Sequence, residues 1–142
     1  MAEFDLKTFY KNKREHLNTK TGKLRKGFVN VSFQEFSDWI AETGLPERCY
    51  YCGTSSEQCA RLFELQDGKI RYQATRGGRR GRRLELDRRD PAKDYDDLDN
   101  LAWCCYWCNN AKSNFFTETE FMPVAKAIGQ ALSLISEQGN CE

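Results

Sequence analysis

The chain has 142 residues, 30% of them charged, with a mean hydropathy of −0.76 and a net charge of +1; it suits one domain with a small core and a helical appendage. No apolar run approaches the ~18 residues of a spanning helix, and the N-terminus lacks a basic segment leading into an apolar one, so no membrane association and no export signal are expected. The expected compartment is then a reducing cytoplasm, where the seven cysteines read as metal ligands or free thiols, not disulfides.

The net charge conceals alternating blocks: +5 over residues 1–26, −5 over 27–68, +7 over 69–93 and −6 over 94–142. The blocks bear on partners; the total does not. In chain order, Phe4, Leu6, Phe9 and Tyr10 give residues 4–16 a weak helical pattern, and 18–26 reads as a polar, basic loop. Ser32 and Glu35 form a predicted capping box. Phe33, Phe36, Trp39 and Ile40 follow at helical spacing, a core-packing stripe that Gly44 and Pro46 end. A short helix is expected over 55–65, a strand over 69–72 and a Gly/Arg loop over 76–83. Leu84, Glu85 and Leu86 alternate, which predicts a strand ending at Asp87. A polar loop over 90–99 leads to a second short strand over 101–104 and the start of a helix over 109–114. Thr117 and Glu120 open a second capping box. The helix behind it carries Phe121, Val124, Ala125, Ile128, Leu132 and Ile135 on one face and ends near Gly139.

Two C-x-x-C pairs, Cys49/Cys52 and Cys105/Cys108, each let two thiolates reach one ion from a tight turn. Together they supply the four soft ligands of a structural Zn²⁺ site, one ion per chain. The long gap between the pairs means that the ion clasps distant segments, a staple for a small core. Gly53 suits the knuckle turn. Of the remaining cysteines, Cys104 reads as a small buried apolar residue. Cys59, Cys141 and His16 have no ligand spacing that argues for a second site.

The string Asp99-Asn100-Leu101-Ala102-Trp103-Cys104-Cys105-Tyr106-Trp107-Cys108-Asn109-Asn110-Ala111-Lys112, with Cys49/Cys52 and Asp87-Arg88 before it, resembles the HNH endonucleases. Their consensus runs strand, loop, strand, helix and contains D-H…N…C-x-x-C-N-x-x-K. The resemblance spans about Cys49 to Asn114. It is closer to a branch in which D-H is D-R-x-D, here Asp87-Arg88-Arg89-Asp90. That branch includes small homodimeric rare-cutting restriction enzymes. Tyr95, Asn100, Asn109, Lys112 and Ser113 also match it, and Asp94 stands where it has a glycine.

The resemblance implies an α+β fold with a ββα-metal core over 49–116, an N-terminal helical region with a basic segment over 1–48, and a C-terminal helix over 117–142 packing on the core. It implies that Asp87 and Asn109 hold Mg²⁺ or Mn²⁺, that Asn100 braces the loop between the strands, and that Arg88 takes the place of the water-activating histidine. It further implies a DNA endonuclease acting on double-stranded DNA, with homodimerisation as a corollary of the branch. Independently of it, a carboxylate at a strand end and an amide oxygen at a helix start are hard oxygen ligands suited to Mg²⁺.

Arginine is no base at neutral pH, because its pKa exceeds ~12. Three roles for Arg88 stay open: a bidentate phosphate clamp, an orienter of water, or the mark of an impaired enzyme that only binds DNA. Tyr50, Tyr51, Tyr95 and Asp90 are the candidate bases; His16, in the polar N-terminal segment, reads as a solvated side chain. Arg76, Arg79, Arg80, Arg82 and Arg83, on a glycine-rich loop just before the Asp87 strand, are expected to contact a phosphate backbone, as is Arg89; Lys112 is expected either to pack or to join the nucleic-acid contacts. A second basic block over residues 7–26 is placed to grip DNA further out. The leading reading is a zinc-stapled, metal-dependent DNA endonuclease, in the restriction-type form of the branch it resembles. The alternative is a catalytically weak zinc module that binds nucleic acid.

Overall fold

A computed structural model describes residues 4–68 and 83–139. The expected strand over 69–72, together with Arg76, Arg79, Arg80, Arg82 and Cys141, lies outside the described residues. The chain divides into two compact units, one made of Met1–Leu45 with Ala92–Leu101 and the other of Pro46–Pro91 with Ala102–Glu142.

In the first unit, α1 (Leu6–Lys13) starts at Asp5, whose side chain accepts from the Thr8 amide. The helix is shorter than expected, and His16 does not belong to it: His16–Leu17 forms β1, paired antiparallel with β2 (Leu24–Arg25), His16 opposite Arg25. The turn back is crowded at Gly27, where a Cβ would lie 1.8 Å from the Lys13 carbonyl oxygen. Helix α2 (Phe33–Thr43) opens on the expected Ser32/Glu35 capping box. Its Phe36 is fully buried and packs with Tyr10 and Phe28 at ring separations of 5.5 to 6.0 Å. The Tyr10 hydroxyl is satisfied by donating to the Val31 carbonyl at 2.6 Å. One carboxylate oxygen of Asp96 accepts the consecutive amides of Val29, Asn30 and Val31 at 3.0, 2.9 and 3.0 Å. Burial alone would raise the Asp96 carboxyl, but those three amides hold it below the ordinary carboxylate range.

The second unit contains α3 (Ser56–Asp67), α4 (Tyr106–Lys112), α5 (Glu118–Gly139) and the strand β3 (Glu85–Arg88), hydrogen-bonded to β4 (Leu101–Cys104). Strand β4 has the expected bounds, and β3 runs one residue past its expected end at Asp87. Helix α4 begins three residues before the expected 109 because Cys105 caps it, its sulfur accepting the Cys108 amide at 3.4 Å. Helix α5 begins at the predicted box, with Thr117 and Glu120 bonded reciprocally. It packs on α3 and α4, and α4 packs on β3. Phe121, Ala125 and Leu132 are buried as expected; Val124 is exposed. Among the described residues no helix is long and apolar enough to cross a membrane.

Gly129 allows α5 to approach the first cysteine pair: a Cβ there would lie 2.7 Å from the Cys52 carbonyl oxygen and 3.2 Å from its Cβ. Gly129→Val is therefore expected to destabilise the zinc-loaded protein by roughly 1–3 kcal/mol, the usual cost of overpacking. Ala131→Val, at an exposed position on the same helix, is the control, and the comparison is read from thermal melts. Equal melting temperatures would contradict this close approach.

Candidate functional site

The two C-x-x-C pairs converge. The sulfurs of Cys49, Cys52, Cys105 and Cys108 all lie within 4.8 Å of one another, three of the four residues being buried. The Cys52 and Cys105 sulfurs are 3.7 Å apart. A disulfide needs ~2.0 Å, whereas a tetrahedron of Zn–S bonds of ~2.3 Å puts its sulfurs about 3.8 Å apart. Both turns follow one pattern: the amide of the second cysteine points at the sulfur of the first, Cys52 to Cys49 and Cys108 to Cys105, each at 3.4 Å. Gly53 turns the first knuckle at φ +78°, and its amide returns to the Cys49 carbonyl. Crowding pulls the thiols apart in proton affinity: the hydrogen bond from Cys105 lowers Cys49 to about 7, and contact with Cys105 raises Cys108. Four converging sulfurs suit a soft divalent cation.

Cys104 is fully buried and points elsewhere, as strand alternation requires. Cys59 is also fully buried, and burial pushes its thiol up to about 12. Neither belongs to the sulfur cluster.

Asp87 stands on β3, buried, and its Oδ2 is doubly held. The Tyr51 hydroxyl donates to it at 2.5 Å, and the Lys112 ammonium lies 3.0 Å away. Lys112 also donates to the Arg88 carbonyl at 2.7 Å and is fully buried. Lys112, expected among nucleic-acid contacts, thus directs its charge at β3. The other Asp87 oxygen, Oδ1, accepts no hydrogen bond among the described residues. Burial first, then the bond to Asp87, raises the Tyr51 phenol, so it faces Asp87 as a donor.

Glu85 and Asp87 are two apart on a strand and share a face; Asn109 and Lys112 are three apart on a helix and share a face. The two faces meet, with the Asn109 amide nitrogen donating to Glu85 at 2.8 Å. That bond turns the amide oxygen of Asn109 away from the carboxylate. Two hard oxygens are thereby left for a cation, Oδ1 of Asp87 and the Asn109 amide oxygen, a donor set of the kind Mg²⁺ or Mn²⁺ takes.

Arg88 is buried and donates to the Asn114 amide oxygen at 2.9 Å, just beyond the end of α4. Arg89 pairs with Glu118 at the start of α5, and Tyr50 donates to the same carboxylate at 3.2 Å. The bond from Arg89 lowers the Glu118 carboxyl, and the same bond raises the Arg89 guanidinium. Arg83, the described member of the arginine loop, is exposed. Asn100 belongs to the first unit, buried at the end of a 3-10 turn over Leu98–Asn100.

No family model matches the chain, and no curated protein does. Among solved structures it is similar to the rare-cutting HNH restriction endonuclease PacI, at 26% identity and a TM-score of 0.55. The likeness covers 73% of this chain and 66% of that one, so the chain spans just under two thirds of PacI. The fold is HNH-like.

Sequence reasoning missed Glu85 and Asn114 as partners of Asn109 and Arg88. Glu85 carried a signal, its i, i+2 relation to Asp87 on a strand; Asn114 carried none, because its partner is set by where α4 ends. Tyr51 was one of four candidate bases, and of these it is the one hydrogen-bonded to Asp87.

Proposed function

We propose that this chain is an HNH-type endonuclease that hydrolyses DNA phosphodiester bonds with a divalent metal, in the manner of a restriction enzyme. The observation that carries the reading is the Asp87 carboxylate, buried on β3 and held through one oxygen by Lys112 and Tyr51 while the other accepts no hydrogen bond among the described residues. The likeness to PacI, which exhibits a mechanism of DNA perturbation, supports DNA as the substrate.

In this reading the cysteines hold one structural Zn²⁺ that fixes the Tyr51 knuckle against α4. Asp87 and Asn109 would hold Mg²⁺ or Mn²⁺, which would supply Lewis acidity for phosphodiester hydrolysis. Glu85 orients Asn109 through the amide nitrogen, so that the oxygen is presented. Arg88, planar and always charged, binds the phosphate and stabilises the charge that develops on it, with Asn114 setting its orientation. Arg89, fixed by Glu118, and the arginines over 76–83 add attraction to the flanking backbone. Asn100 braces the segment entering β4.

The test is conversion of supercoiled plasmid in Mg²⁺, Mn²⁺ or EDTA. Cleavage is expected with either metal and not with EDTA. Asn109→Ala and Asp87→Ala are expected to lose more than about 100-fold, and Glu85→Gln, an outer partner, about 10- to 100-fold. Circular dichroism verifies that each variant folds. Arg88 in the place of a base favours a second reading, a zinc module that binds DNA without cutting it. Intact plasmid under every condition, with binding retained at low salt, would establish that reading instead.

A further inference from the structure

We propose that Phe115 is a base-stacking wedge, its ring lying against a nucleobase next to the phosphate handled at Asp87 and Arg88. The proposal rests on the nuclease reading above. Phe115 is 78% exposed, more than any other large hydrophobic side chain among the described residues. Scattered exposed hydrophobics are ordinary; two features set this one apart.

The first is its support. Phe115 meets Phe116 edge-on at 4.8 Å, Phe116 lies 6.1 Å from Phe121, and Phe121 meets Tyr51 at 5.5 Å. Tyr51 in turn donates to Asp87. A series of packed rings therefore fixes the exposed one relative to the carboxylate. The second is its neighbour. Asn114, one residue before, accepts from the Arg88 guanidinium. Ser113 turns the chain off α4 at φ +48°, and the Phe116 amide returns to the Lys112 carbonyl at 3.3 Å.

A rigid apolar ring one residue from Asn114, the partner of the arginine read above as the phosphate clamp, suits a nucleobase. Every base offers a π-face whatever the sequence, and apolar side chains at such places open base steps. A single ring offers too little surface for a protein partner.

The probe is a linear DNA fragment whose cut positions have been mapped with the wild-type protein in Mg²⁺. Protein is bound to it in Ca²⁺, and unstacked thymines and purines are read with permanganate and diethylpyrocarbonate. Wild-type protein is expected to make bases beside the cut reactive. Phe115→Ala is expected to melt as wild type and still bind, to lose that reactivity, and to cut on the order of 5- to 150-fold more slowly. Phe115→Trp is expected to restore both. Phe115→Ala with unchanged reactivity, whatever its cutting rate, overturns the wedge alone. Wild-type protein that neither binds nor cuts overturns the nuclease reading and the wedge with it.

Discussion

Lys112→Met is expected to destabilise the protein by about 3–5 kcal/mol, the usual result of removing one member of a buried ion pair. Methionine matches the length of lysine and keeps its apolar stem packed, so the loss isolates the charge. The ammonium is fully buried, 3.0 Å from Asp87 and 2.7 Å from the Arg88 carbonyl. Without it a buried carboxylate and a buried carbonyl face an apolar group. Tyr51 still donates to Asp87, but a neutral phenol cannot balance its charge. Urea denaturation measures the effect. A double variant with Asp87→Asn is expected to recover part of it, because the uncompensated charge is then gone. A loss below about 1 kcal/mol, the size of a surface pair, would contradict the buried clamp.

The second large effect is metal removal. Structural zinc contributes an apparent ~10–16 kcal/mol in small zinc domains, more than the ~5–15 kcal/mol that holds a typical domain together. Chelation at neutral pH is therefore expected to abolish the cooperative melt of the Pro46–Pro91 and Ala102–Glu142 unit, and Cys105→Ser to do the same, since it also removes the cap of α4. Cys59→Ser, outside the cluster, is the comparison: its metal content should stay at wild-type level. Elemental analysis is expected to give one zinc per chain. A metal-free protein that melts cooperatively would overturn the staple.

The legible parts of this molecule were those set by neighbours in sequence. The capping boxes at Ser32 and Thr117, the two short strands and the cysteine pairs each follow from residues within four positions of one another. Long-range pairing set what was missed. His16 entered a strand because Arg25 lies opposite it, in a hairpin with no apolar alternation to announce it. Helix α4 hid its start because its cap is a cysteine, outside the Ser/Thr/Asp/Asn set by which caps are read. Lys112 defied its type: lysine is almost never fully buried unless paired, and its partner lies 25 positions earlier in the chain. At the site, the roles of Asp87 and Asn109 were implied by the resemblance to the HNH endonucleases. That Glu85 and Lys112 interlock with them depends on the register of a strand against a helix, which spacing does not convey.

The grip of Asp96 on Val29, Asn30 and Val31 spans more than sixty residues, and this has a consequence during synthesis. The N-terminal forty-five residues leave the ribosome without the segment that completes their unit. At ~5–20 residues per second, the interval from Leu45 to Asp96 takes roughly 3–10 s. Through that time the buried faces of Phe28 and Phe36 have no finished shelter, and the intervening knuckle and β3 are made first. A nascent chain halted with Asp96 still inside the ribosome would accordingly present those aromatics to chaperones, and one halted after Asp96 has emerged would not.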